Sequence, residues 1–287
     1  MPGTGGAVTD RSFSEQYGPW ALVLGASNGT GSAFAREVAQ QGVNVVLVSR
    51  RQAALDEVAD AIRSETGVEA RAVAIDLASD SAAAQVIEAT ADLDIGMLMY
   101  NAGADPDSRP FLDAAVDASL AMVQRNCIVP LQLCHHYAPS MVERGRGGIV
   151  LVSSAAGLNG MANMAAYGAT KAFDVVFAEA LWAELNEKGV DVLALVLAAT
   201  DTPAFREHLA DRGMSTAPGE PIPIPNVTSS EDTAREAIAN LTNGPTWFVS
   251  DALRAKMDQL RVKPRNDAVR DLDAAARAGT TGQPRRS

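Results

Sequence analysis

The sequence predicts an α/β domain on a parallel, doubly wound sheet of seven strands, followed by a C-terminal helical extension. Three observations lead there. Short apolar runs at residues 21–24, 43–48, 70–75, 95–100, 148–152, 190–197 and 246–249 alternate with stretches of helical periodicity. A glycine-rich turn separates the first run from the first helix, and polar residues close several of the runs, at the edge where open parallel sheets place ligands. With 287 residues, 47% of them hydrophobic, the chain has ample material for one core. A net charge of -11 argues against a nucleic-acid surface, and no stretch is long and apolar enough to span a bilayer. The first ten residues lack a basic segment leading into an apolar one, so a cytoplasmic location is expected.

Residues 1–17, rich in Gly, Ser and Thr, are expected to form a flexible lead-in, with order from about Trp20. The run at 21–24 ends in Gly25-Ala26-Ser27-Asn28-Gly29-Thr30-Gly31, after which Phe34, Ala35, Val38 and Ala39 follow helical spacing. Strand, glycine turn and helix N-terminus together let backbone approach a pyrophosphate, with free N–H groups and a positive dipole end facing it. A Rossmann-type dinucleotide site fits this order. The second strand leads into Ser49-Arg50-Arg51, where such a unit meets the adenosine ribose, and no carboxylate stands there. Arginine grips a 2′-phosphate through charge-assisted hydrogen bonds, which favours NADP over NAD, although two arginines can also simply solvate a loop.

Helices are expected at 52–65 and 81–91. The intervening and following strands end in Asp76-Leu77 and Asn101-Ala102-Gly103, both candidate cofactor contacts. A long helical region over 114–143 carries Asn126, a polar amide among Val123, Cys127, Val129 and Leu131 that needs partners, whether as a site residue or as a structural asparagine satisfied within the fold. Cys127 and Cys134 read as core residues, and His135, His136 and His208 have no grouping that suggests a metal. The strand at 148–152 delivers Ser153 and Ser154. Thirteen residues after Ser154, Tyr167 opens another long helix, with Lys171 on the same face. A neighbouring ammonium favours the phenolate, which makes Tyr167 a general acid/base candidate, although a bare Tyr-x-x-x-Lys match is common and needs corroboration.

Beyond the strand at 190–197, Thr200-Asp201-Thr202-Pro203 leads into a loop crowded with Pro218, Pro221, Pro223 and Pro225, placed where a lid or a plain surface excursion would lie. A helix at 230–241 and the strand at 246–249 complete the sheet. After Ser250 the charged sequence predicts one or two amphipathic helices, with a frayed end over 279–287. The chain therefore divides into a lead-in at 1–17, a domain at 18–250 and an extension at 251–287.

Gly25-x-x-x-Gly29-x-Gly31, Asp76, Asn101-Ala102-Gly103, Asn126, Ser154, Tyr167 and Lys171, in this order and spacing, resemble the short-chain dehydrogenase/reductase family over about residues 18 to 250. The stretch from Arg50 through Asp94-Ile95-Gly96 is most similar to its hydroxysteroid dehydrogenase and 3-ketoacyl reductase branch. The resemblance implies hydride exchange between NADP(H), or NAD(H), and a ketone or secondary alcohol, with Tyr167 as acid/base. It implies that Lys171 holds the nicotinamide ribose, Ser154 the substrate oxygen, and Asn126 a relay water. It places Gly25, Ser27, Asn28, Gly29, Thr30 and Gly31 at the pyrophosphate, Ser49, Arg50 and Arg51 at the 2′-phosphate, Asp76 and Leu77 at the adenine, Asn101, Ala102 and Gly103 below the nicotinamide, and Thr202 at its carboxamide. No metal is implied, and a homodimer or homotetramer is. Leu24, Thr30 and Tyr100 depart from the family pattern, as does Leu197-Ala198-Ala199, where Pro-Gly is usual. That last change leaves a second reading open, a non-catalytic cofactor-binding regulator or scaffold. Leu158, Asn159, Met161, Met164, Phe205 and Met214 fit either an apolar substrate pocket or plain packing.

Overall fold

The computed structural model describes residues 11–103, 108–211, 213–214 and 220–280. Its elements are α1 (Phe13–Tyr17), β1 (Trp20–Leu24), α2 (Gly29–Gln40), β2 (Asn44–Ser49), α3 (Gln52–Thr66), β3 (Ala70–Ala74), α4 (Ala82–Ala89), β4 (Ile95–Tyr100), α5 (Val116–Val123), α6 (Val129–Arg144), β5 (Gly147–Ser154), α7 (Ala165–Leu185), β6 (Val190–Leu197), β7 (Thr200–Asp201), α8 (Pro203–Asp211), β8 (Thr228–Ser229), α9 (Ser230–Ala239), β9 (Thr246–Phe248), α10 (Asp251–Arg261) and α11 (Arg265–Thr280).

Seven strands form one sheet in the order β3-β2-β1-β4-β5-β6-β9, and every neighbouring pair is parallel. The order reverses between β1 and β4, and that reversal opens a crevice at the carboxyl ends of the strands. The inner strands β1, β2, β4 and β5 read as nearly continuous apolar runs because both faces are covered, whereas the edge strand β3 carries Arg71 and is only partly buried. Ala21 and Val23 of β1 face a cluster with Phe34 and Val38 of α2, Leu55 and Ile62 of α3, and Ala234 and Ala237 of α9. Leu22 and Leu24 face the opposite cluster, with Val86 of α4, Leu133 and Met141 of α6, and Ala178 of α7. This is the seven-stranded α/β arrangement the sequence predicts.

Two elements differ from expectation. The segment before Trp20 contains α1, started by a capping box between Ser12 and Glu15 and anchored by Tyr17, which is 4% exposed. The Tyr17 hydroxyl donates to Asp191 of β6 at 2.9 Å, and the Gln16 amide donates to the same carboxylate at 3.2 Å. The long helix expected over 114–143 is two helices joined by a π turn, Gln124–Ile128, which contains Asn126. In that turn the N–H of Val129 reaches back to the carbonyl of Gln124. Pro130 follows, with no N–H to offer the carbonyl of Asn126 four residues back.

The proline-rich loop is tied down at its ends, where β7 pairs with β8 in a short parallel ladder and Ser230 Oγ donates to the Asp201 carbonyl. Pro218 lies outside the described residues, as do 281–287 at the end of the expected frayed tail. The extension is held through Glu236 of α9, which accepts from Trp247 Nε1 at 3.0 Å and Arg254 Nη1 at 2.6 Å. Leu253, Met257 and Leu260 of α10 pack with Val175, Val196, Phe248, Ala155 and Leu158, so the extension braces the chain just after Ser154.

Candidate active site

At the switch point the turn after β1 is pressed against the strand beyond it. A Cβ on Gly31 would stand 2.0 Å from the Gly25 carbonyl and 2.7 Å from Asn101 Nδ2, so only glycine fits. Asn101 secures the turn from β4: its N–H donates to the Leu24 carbonyl at 3.0 Å and its side-chain amide lies 3.4 Å from the Gly25 carbonyl. Asn28 is the N-cap residue of α2, with extended backbone and no side-chain capping bond, and Thr30 is buried in the first turn. The bare Gly31 thus lets the first turn of α2, with its N-terminal N–H groups, pack directly against the glycine turn, an arrangement that suits a pyrophosphate. Thr202 covers this turn, for a Cβ on Gly29 would meet Thr202 Cγ2 at 3.0 Å. Thr202 Oγ1 also accepts from the Phe205 N–H at 3.1 Å, at the start of α8.

At the end of β2, Ser49 Oγ donates to Ser27 Oγ at 3.0 Å, tying the strand end to the glycine turn. Arg50 and Arg51 are exposed beside them, Arg51 at the N-cap of α3. Asp76 is exposed and its carboxylate caps the turn below it by accepting from the Ala78 N–H at 3.1 Å, while Leu77 is buried. The residues present fit a nicotinamide dinucleotide.

The residues expected from the sequence to carry the chemistry lie on the other side of the switch point. β5 runs to Ser154, whose hydroxyl accepts from the Ala156 N–H at 3.2 Å. The following turn and the start of α7 are in close contact: a Cβ on Gly157 would lie 2.5 Å from the Lys171 carbonyl carbon, and Ser153 Oγ donates to the Lys171 carbonyl at 2.7 Å. Tyr167, half-buried, stands one turn before Lys171 on this helix. Lys171 is 3% exposed, and its ammonium donates to the Val152 carbonyl at 2.8 Å and to Asp174 Oδ2 at 2.9 Å.

Asn126, fully buried, comes to the same place from the π turn. Its Nδ2 donates to Thr170 Oγ1 at 2.9 Å and its Oδ1 accepts from Arg125 Nε at 3.0 Å. Gly103 is where the two sides meet: a Cβ there would lie 2.8 Å from Lys171 Nζ and 3.1 Å from Asn126 Oδ1. Ala102 packs against Gly25, whose added Cβ would stand 2.9 Å from the Ala102 nitrogen. The structure therefore brings the glycine turn, Asn101 to Gly103, Asn126 and Lys171 into one contiguous region, with Ser154 and Tyr167 on the elements packed beside it.

Sequence reasoning passed over several residues here. Arg125, Thr170 and Asp174 surround Asn126 and Lys171, and Tyr100 donates a short hydrogen bond to the Arg125 carbonyl, bracing the π turn. Asp174 had a legible signal, a carboxylate amid Ala172, Phe173, Val175 and Val176. Burial pushes the Tyr100 phenol and the Cys134 thiol up from their ordinary values, and the Cys127 thiol up to about 11, so these groups stay neutral. Leu158 and Asn159 line a cavity of 290 Å³ bounded by α10 and the start of α11, whose lining includes none of Asn126, Ser154, Tyr167 or Lys171. Among the described residues no group of His, Cys, Asp and Glu is arranged to hold a metal, and no helix is long and apolar enough to cross a membrane.

The family model described as short chain dehydrogenase matches residues 19–213. The 7beta-hydroxysteroid dehydrogenase of Clostridium sardiniense is 33% identical over 261 residues, 91% of this chain and 97% of that protein. A solved 7beta-hydroxysteroid dehydrogenase structure superposes with a TM-score of 0.82 at 29% identity, covering 91% of this chain and 99% of the other. A short-chain dehydrogenase from Sphingobium yanoikuyae in complex with NADPH gives a TM-score of 0.73 at 28% identity, covering 94% and 97%. With a family model spanning most of the sheet and a relative aligned almost end to end, the chain belongs to the short-chain dehydrogenase/reductase family, in the branch of the hydroxysteroid dehydrogenases and ketoacyl reductases, oxidoreductases of CH–OH and carbonyl groups.

Proposed function

We propose that this protein interconverts a bulky apolar ketone and its secondary alcohol with NADP(H), using Tyr167 as the acid/base. The observation that carries this reading is the meeting of Lys171 Nζ and Asn126 Oδ1 at Gly103, directly beside the glycine turn. The nicotinamide cofactor, when bound, supplies or accepts the hydride. In reduction Tyr167 gives its phenolic proton to the carbonyl oxygen, and in oxidation it takes the proton from the hydroxyl. Ser154 donates a hydrogen bond to that same oxygen, fixing the carbonyl against Tyr167 and stabilising charge that develops there. The Lys171 ammonium, with two of its three N–H groups committed to Val152 and Asp174, turns the remaining one to a ribose hydroxyl. Asn126, whose carbonyl has no N–H from Pro130, holds a water through which Lys171 is reprotonated.

The 2′-phosphate is assigned to Arg50, with Ser49 and Arg51 beside it, because two exposed guanidinium groups and no carboxylate stand at the end of β2. The relative of 33% identity supports a hydroxysteroid or similarly rigid substrate. Along α5, Val116, Leu120 and Val123 form an exposed apolar stripe, and Val176 of α7 is 65% exposed. A second copy of the chain is proposed to cover this face in a homodimer or homotetramer. The test is steady-state turnover of steroid and other bulky ketones with NADPH and with NADH. NADPH-dependent reduction of at least one supports the reading. Tight NADPH binding without turnover of any ketone or alcohol contradicts it and leaves a regulatory role.

A further inference from the structure

Lys171 and Asp174 form an ion pair inside the protein, with side chains 4% and 3% exposed and Nζ 2.9 Å from the carboxylate oxygen. Pairs three residues apart on a helix normally sit in water, where they contribute little. In a core, the lost hydration of two charges outweighs their attraction unless the geometry is good and further hydrogen bonds complete it. Here Val152 supplies one such bond, to the ammonium. An ammonium has three N–H donors, and two are committed, to Asp174 and to Val152. The tetrahedral geometry of nitrogen then restricts where the third can point, and Gly103, with no side chain, leaves room beside it.

The titratable groups around the pair come from every neighbouring element. They are Tyr167 on α7, Tyr100 on β4, Arg125 and Cys127 on the π turn, and Cys134 on α6. Arg125 is bound to Asn126 Oδ1, and the two thiols and Tyr100 are kept neutral by burial. Among the described residues, Asp174 is the one carboxylate in ion-pair contact with Lys171.

We propose that Asp174 is a positioning residue for the reaction: its carboxylate anchors the Lys171 ammonium below Tyr167 and balances its charge. The inference rests on the function proposed above. Removing an anion from beside the Tyr167–Lys171 couple makes the couple release its proton more readily, whichever of the two groups gives it up. The rising limb of the pH–rate profile for oxidation and the falling limb for reduction therefore both move to lower pH, by about one unit. A purely structural brace would lower thermal stability in Asp174→Asn and leave the profile in place.

The experiment is kcat/KM from about pH 6 to about pH 10, with NADP(H) and a steroid ketone and alcohol pair, for the native protein, Asp174→Asn, Asp174→Glu and Tyr167→Phe. The expected result is Tyr167-dependent turnover whose inflection falls by about one pH unit in Asp174→Asn and is restored in Asp174→Glu. Tyr167-dependent turnover with an unchanged inflection in Asp174→Asn overturns this inference alone. No turnover in the native protein, or turnover that survives Tyr167→Phe, overturns both this inference and the reading beneath it. If Asp174→Asn does not fold, Asp174→Glu carries the test. Its carboxylate is displaced by one methylene, kcat is expected to fall about tenfold, and a native kcat would overturn the proposal.

Discussion

Tyr167 depends on its neighbours for any chemistry, and most of those neighbours are fixed by hydrogen bonds that do not involve a ligand. Asn126 is held by Thr170 and Arg125, and Lys171 by Val152 and Asp174, so the polar floor of the site is in place without one. The glycine turn, Asn126, Ser154, Tyr167 and Lys171 could be named as candidates from the sequence because their joint order and spacing resemble a family pattern that no one of them carries alone. Arg125 was not singled out, because its contact with Asn126 depends on the π turn, whereas Asp174, three residues after Lys171 on the same helix, carried a local signal that was passed over. Arg50 supports a prediction at this scale. Arg50→Asp places a carboxylate where the 2′-phosphate is assigned, and is expected to weaken NADPH relative to NADH by about one to two orders of magnitude. Fluorescence titration with both cofactors measures this, and an unchanged preference would reject the Arg50 assignment.

Among the elements, the strands of the parallel sheet were read almost to the residue, since strands covered on both faces are written as unbroken apolar runs. The π turn was hidden because apolar spacing continues from α5 into α6 while the backbone widens by one residue at Asn126. Helix α1 was hidden for another reason. Its contribution to the core is chiefly Tyr17, whose partner Asp191 is 174 residues away, although the capping box at Ser12 and Glu15 was a local signal. Burial holds the Asp191 carboxyl above its ordinary value, while the hydrogen bonds from Tyr17 and Gln16 work in the opposite direction. An acid raised in the folded state stabilises the fold most when protonated, and that contribution is lost as pH rises through the raised value. Tyr17→Phe removes a donor that the ionised carboxylate needs. It is expected to cost about 1–3 kcal/mol near neutrality and less near about pH 4, and thermal melts at the two pH values measure the difference. Equal losses at both would show that the Tyr17–Asp191 bond is not what anchors α1.

At the scale of the whole molecule, the proposed function divides the sheet in two, with the cofactor assigned to the turns after β1 and β2 and the acid/base chemistry to residues after β4 and β5, the two sides approaching each other at Gly103. The extension, expected only as amphipathic helices, packs α10 behind the turn that follows Ser154, a placement that sequence periodicity cannot supply. The stripe on α5 makes a prediction about assembly. Leu120→Asp puts a charge where a second copy is proposed to dock, and is expected to shift the protein to monomer in sedimentation velocity with its melting behaviour otherwise intact. An unchanged oligomer would place the interface elsewhere, and a native protein that is already monomeric would remove it. The central claim, that this fold performs Tyr167-dependent carbonyl chemistry, is tested most directly by turnover of a bulky ketone with NADPH in the native protein and in Tyr167→Phe, with NADPH affinity measured in both. The account predicts that Tyr167→Phe binds NADPH as the native protein does and loses turnover by at least about a hundredfold. Comparable turnover in the two proteins would contradict it.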